Sequence, residues 1–138
     1  MGGNGWAETG PYQEELAVAF RQAQELELAR DDHGFPGCGI VELWQDEEWQ
    51  EYIATGGTGT VLDFCELAVT EDEIPFVMRP LSEDEIRAWA PGGRPTREQW
   101  EAVQDRLIFA VGRGEGRCTV LYRDDRAAEV AYWGCTAD

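Results

Sequence analysis

The side chains that most often do chemistry are scarce in this chain. It has one histidine, His33, one serine, Ser82, and no lysine among 138 residues. A single histidine rules out an HExxH helix and any metal site built on several imidazoles. Without lysine there is neither a Schiff-base nucleophile nor a Walker-type phosphate loop. Ser82 begins Ser82-Glu83-Asp84-Glu85, whose Ser-x-x-Glu spacing marks a helix capping box, so the serine is explained as a cap rather than a triad member. Cys38, Cys65, Cys118 and Cys135 stand 27, 53 and 17 positions apart, with no C-x-x-C pair to suggest a zinc or redox motif. They read as small buried hydrophobes.

Weaker possibilities remain. His33 and Cys38 could pair across Gly34 and Pro36, but nothing else orients the imidazole, so a surface histidine is expected. Asp31-Asp32-His33 reads as a solvated helix terminus rather than a cation site. Gly56-Gly57-Thr58-Gly59-Thr60 has the composition of a phosphate loop with the wrong polarity, since these residues leave a helix instead of entering one. The carboxylates Asp63, Glu66, Glu71, Asp72 and Glu73 could supply an acid and a base. With 28 acids in the chain, chance proximity is expected too. No catalytic residue, metal or cofactor is assigned, and Asp63 is the one carboxylate carried forward as a candidate ligand-binding group.

The stretch Trp44-Gln45-Asp46-Glu47-Glu48-Trp49-Gln50-Glu51-Tyr52 interleaves aromatics with carboxylates. On one continuous helix Trp49 would lie about 140° around the axis from Trp44, leaving one ring partly exposed. A bend would bury both. An exposed aromatic ringed by acids suits a basic partner, so Trp44, Glu47, Glu48, Trp49 and Tyr52 form the candidate partner-binding set.

Composition points the same way. Net charge is −17, from 28 acids and 11 arginines, which repels phosphate backbones and anionic lipid. Direct nucleic-acid or membrane binding is therefore not expected, and a protein partner with a basic surface is. No apolar run reaches the roughly 20 residues of a membrane span. The first ten residues have neither the basic nor the apolar region of a secretory leader, which makes the cytoplasm the expected location.

The elements that must position these residues follow from periodicity. Residues 1–10 are Gly-rich and expected to be flexible, and residues 11–138 to form one domain. Tyr12, Leu16, Ala19, Phe20, Ala23 and Leu26 recur at helical spacing from Pro11 to about Arg30. Residues 40–54 read as one bent or two short helices, residues 60–65 as a buried strand and residues 74–80 as another. The second capping box, Thr96-Arg97-Glu98-Gln99, opens a longer helix. Cys118–Tyr122 and Ala127–Trp133 form a hairpin about Arg123-Asp124-Asp125-Arg126. The order predicts an α+β fold with a small, mainly antiparallel sheet of about four strands and four to five helices.

Three stretches, Gly59-Thr60-Val61-Leu62-Asp63, Pro80-Leu81-Ser82 through Gly93-Arg94-Pro95-Thr96, and Leu121-Tyr122 through Tyr132-Trp133-Gly134, span roughly the last 80 residues. In them the chain resembles small actinobacterial single-domain proteins of uncharacterised function. The resemblance implies a stand-alone product and brings no functional residue with it. The leading expectation is a non-enzymatic accessory protein acting through protein–protein contact, with an immunity- or antitoxin-like role fitting its size and charge. The alternatives are a small-molecule site using carboxylates in a cleft and a mimic of nucleic-acid charge.

Overall fold

The segment Arg126–Cys135 buries side chains of both parities: Val130 and Tyr132 on one side, Ala131 and Trp133 on the other. A strand apolar on both faces must be covered on both. In the computed structural model, which describes residues 3–138, it is the second strand of a five-stranded mixed sheet with helices on each face.

The elements run β1 (Gly5–Pro11), α1 (Leu16–Arg30), α2 (Ile40–Gln45), α3 (Glu47–Thr55), a single 3-10 turn (Val61–Asp63), β2 (Glu66–Leu67), β3 (Val77–Pro80), α4 (Glu83–Arg87), α5 (Arg97–Phe109), β4 (Gly116–Arg123) and β5 (Arg126–Cys135). The sheet order is β1-β5-β4-β3-β2. β5 pairs antiparallel with β1 and β4, whereas β3 runs parallel to both β4 and β2. α1 lays Ala19, Phe20 and Ala23 on the face holding Val130, Tyr132, Cys118 and Met78, with Phe20 and Tyr132 ring centroids 5.8 Å apart. α5 covers the other face, where Trp100 meets Trp133 at 6.3 Å. A third apolar group, Ile40, Leu43, Trp49, Ile53 and Leu62, joins α2 and α3 to the 3-10 turn.

The α+β fold is as expected, and its sheet is larger than expected. The fifth strand comes from residues assigned to a flexible start. Gly5–Pro11 pairs residue for residue with β5, and its side chains pack on both faces, Trp6 against Phe64 and Ala7 in the α5 core. The expectation for Met1 and Gly2 lies outside the described residues. Pro11 ends this strand rather than starting the helix. Residues 60–65 make no strand: Thr60 caps the 3-10 turn through its hydroxyl, and only Glu66–Leu67 extends. Both capping boxes form, Ser82 with Glu85 and Thr96 with Gln99. Asp124 and Asp125, at φ 52° and 62°, make the two-residue turn of the β4–β5 hairpin. Among the described residues no helix is long and apolar enough to cross a membrane.

Candidate functional site

The Gly56–Thr60 run is built around a carboxylate of its own chain. α3 ends where the N–H groups of Gly56 and Gly57 both bond Tyr52 O at 3.0 Å. Gly57 and Gly59 then take φ of 92° and 70°, in the left-handed region that favours glycine. The turn aims its donors inward. Asp63 Oδ1 accepts from Thr58 N–H and Thr58 Oγ1, each at 2.7 Å, and Oδ2 accepts from Gly59 N–H at 3.1 Å. The 3-10 turn that carries Asp63 is tied to α1 by buried Gln24, whose Nε2 donates to Phe64 O at 2.6 Å. Asp63 is only 3% exposed. Burial pushes its pKa up, while the bonds from Thr58 and Gly59 and the neighbouring His33 draw it back. The loop does cradle an anion, and that anion is internal.

Titratable groups gather around it. Glu8, on the α1 face of β1, has its pKa pushed up to about 7 by burial and by the charges of Glu27 and Asp63, against Arg30 and the Val61 N–H. His33 adopts φ 53° and its N–H donates to Asp31 Oδ1 at 2.9 Å. Its ring lies against Trp49 and Tyr52, with Nδ1 3.4 Å from the Tyr52 hydroxyl and Nε2 3.8 Å from Asp31 Oδ2. Burial and the charges of Asp63 and Asp31 raise the Tyr52 pKa. Cys38 is absent from these ring partners; it packs with Leu28 and Phe35 against the α2–α3 core. Among the described residues no three His, Cys, Asp or Glu side chains are placed to hold a metal ion.

The aromatic–acidic stretch folds as two helices. Asp46 ends α2 by donating its N–H to Leu43 O at 3.0 Å, and opens α3 by accepting from Glu48 N–H at 2.8 Å. The break removes the 140° offset: Trp44 and Trp49 meet edge to face, 6.4 Å apart at 85°. Trp49 is fully buried, so its ring faces the core and not a partner. Trp44 and Tyr52 are half-buried, and Glu47 and Glu48 are in solvent. Beside them Glu42 and Glu51 are exposed, as is Val41 at 62%. Val41 lies outside the candidate set read from the sequence, which began at Trp44.

The arginines sit elsewhere. Arg79 on β3 and Arg117 on β4 are register partners. Arg79 forms a two-bond pair with Glu85 at 2.8 and 3.0 Å, and Arg117 a two-bond pair with Glu73. The Arg79 guanidinium holds the Glu85 pKa down at about 2. Arg30, Arg87, Arg94 and Arg97 each pair with a carboxylate as well. Over residues 31–78 the sequence has twelve acids (Asp31, Asp32, Glu42, Asp46, Glu47, Glu48, Glu51, Asp63, Glu66, Glu71, Asp72 and Glu73) and no arginine. Trp44 stacks 6.3 Å from Phe76, which brings the loop after β2 alongside α2.

Comparison with protein-family models, curated proteins and solved structures finds no match.

Proposed function

We propose that this is a non-enzymatic binding domain that engages a basic protein through the outer surface of α2 and α3. The reading rests chiefly on one observation: in a 48-residue span without arginine or lysine, Glu42, Glu47, Glu48 and Glu51 stand in solvent on the same two helices as exposed Val41 and half-buried Trp44. Apolar contact area framed by charge of one sign gives a partner both attraction over distance and a desolvated centre. An immunity- or antitoxin-like role is one form such binding takes. The test compares two immobilised baits in native lysate, wild type and the triple variant Glu47→Lys, Glu48→Lys, Glu51→Lys. The expected result is a basic protein held by wild type at low salt, released at about 0.5 M salt and not held by the variant. Identical proteins on both baits would reject this surface.

A second reading, a small-ligand site using carboxylates, is favoured by the desolvation of Glu8 and Asp63 within one cluster. Titration with small amines, followed by the amide signals of Thr58, Gly59 and Val61, tests it. Saturable shifts at those amides support it, and shifts scattered over the surface remove it.

A further inference from the structure

β1 is an edge strand that uses half of its main chain. The Thr136 N–H donates to Asn4 O at 3.0 Å, and the register places Trp6 opposite Gly134, Glu8 opposite Tyr132 and Gly10 opposite Val130. Antiparallel ladders alternate, so these even-numbered residues turn their N–H and C=O groups toward β5. The far side of β5 agrees, because the Cys135 N–H and C=O bond Glu115 O and Gly114 N–H there. Gly5, Ala7 and Thr9 therefore direct their N–H and C=O groups outward, with the Pro11 carbonyl beyond them. Among the described residues no backbone or side-chain group bonds to those of Gly5, Ala7 and Thr9.

Proteins blunt such edges with lysine, central proline, bulges or a covering element. Here there is no lysine, Pro11 stands only at the end, and the β1–β5 register runs without a shift. The one charged side chain on the strand itself is Glu8, half-buried on the α1 side, and acids and arginines of α1 and α5 surround the strand. On the α1 side the charges that reach Glu8 are those of Glu27, Arg30 and Asp63, with Glu27 bonded to Arg30 at 3.0 Å. On the other side α5 runs along the strand, its Arg97 bonded to Thr9 Oγ1 at 3.1 Å and its Ile108 under Gly5, with exposed Glu101 between them.

We propose that β1 accepts an extended segment of a basic protein as an added strand, with alternate Lys or Arg side chains on the side of Glu8. Main-chain bonds to Gly5, Ala7 and Thr9 supply the pairing, and the period of two delivers every second side chain to that side. A second copy of this chain is the poorer occupant, since it brings a net charge of −17 against −17. The inference shares with the α2–α3 reading only its choice of a basic partner and places the contact on a different surface.

The probe is a capped peptide of sequence Thr-Lys-Val-Lys-Val-Lys-Thr, compared with the same peptide N-methylated at alternate residues and with a version carrying Glu for Lys. Hydrogen exchange of the Gly5, Ala7 and Thr9 amides is followed by NMR. The lysine peptide should slow all three by about tenfold or more, and the other two peptides should not. Ala7→Pro, which removes an outward N–H and no bond to β5, should weaken binding by about tenfold. Unchanged exchange with the lysine peptide, or equal binding of the N-methylated one, overturns the proposal. Protection that appears without peptide and grows with protein concentration overturns it in favour of a second copy. Glu47→Lys, Glu48→Lys, Glu51→Lys should leave this peptide's binding intact, which separates the two surfaces.

Discussion

Thr58 donates both its backbone N–H and its hydroxyl to one oxygen of Asp63, at 2.7 Å each. With the Gly59 N–H on the other oxygen, a buried carboxylate closes the loop after α3. Charge-assisted bonds of this kind are about twice as strong as neutral ones. Asp63→Asn keeps the shape but turns an NH₂ toward a donor, and is expected to cost about 2–3 kcal/mol in urea unfolding. Gly57→Ala should also destabilise, because φ is 92° and a Cβ would sit 3.0 Å from Asp63 Oδ2.

Glu8 gives stability a pH dependence of definite sign. Its folded pKa of about 7 exceeds the usual 4.5, so the folded chain holds a proton that the unfolded chain releases between those values. Its contribution therefore opposes folding progressively as pH rises from 4.5 through 7. Glu27, Arg30, Asp63 and the Val61 N–H face it and set that shift. Glu8→Gln should raise stability by about 1–2 kcal/mol at pH 8, allowing for partial solvent screening, and by almost nothing at pH 4. Thermal melts at the two pH values make the comparison.

The two tryptophans around Asp46 should respond unequally. Trp49→Ala empties a fully buried site and is expected to cost about 3–5 kcal/mol, with Trp44→Ala costing clearly less. Asp46→Ala removes the α3 cap at a cost of about 1 kcal/mol. Denaturant midpoints of the three variants give the ranking.

How much of this was legible in the sequence depended on whether the signal was local. Ser82 and Thr96 announced their helices because a capping box is complete within four residues. The β4–β5 hairpin was legible for the same reason. β1 was not: Gly5, Gly10 and Pro11 look like a loose terminus, and only pairing with β5, at the far end of the chain, makes them a strand. The Gly56–Thr60 run could be recognised as an anion-binding composition. That its anion was Asp63, a few residues on, required knowing that the turn folds inward rather than toward solvent. The exposure of Val41 and the burial of Trp49 depended on how α2 and α3 close over Leu62.

The Arg79–Arg117 register pair makes the last test. Two guanidinium groups on neighbouring strands repel, and Glu73 reaches both, forming a two-bond pair with Arg117 and lying 3.9 Å from Arg79. Because Arg117 is 9% exposed, removing its partner leaves a poorly solvated cation beside another of like sign. Glu115, 3.5 Å from Arg117, offsets part of that loss, and Glu73 is itself partly exposed. Glu73→Gln is therefore expected to cost about 1–2 kcal/mol. Arg117→Met, which removes the buried charge and keeps the aliphatic stem, should cost less. In the double variant the two effects should fall well short of additive, because the pair shares one interaction. Urea unfolding of the four members of this cycle measures the coupling, and simple additivity would show that Glu73 and Arg117 act independently.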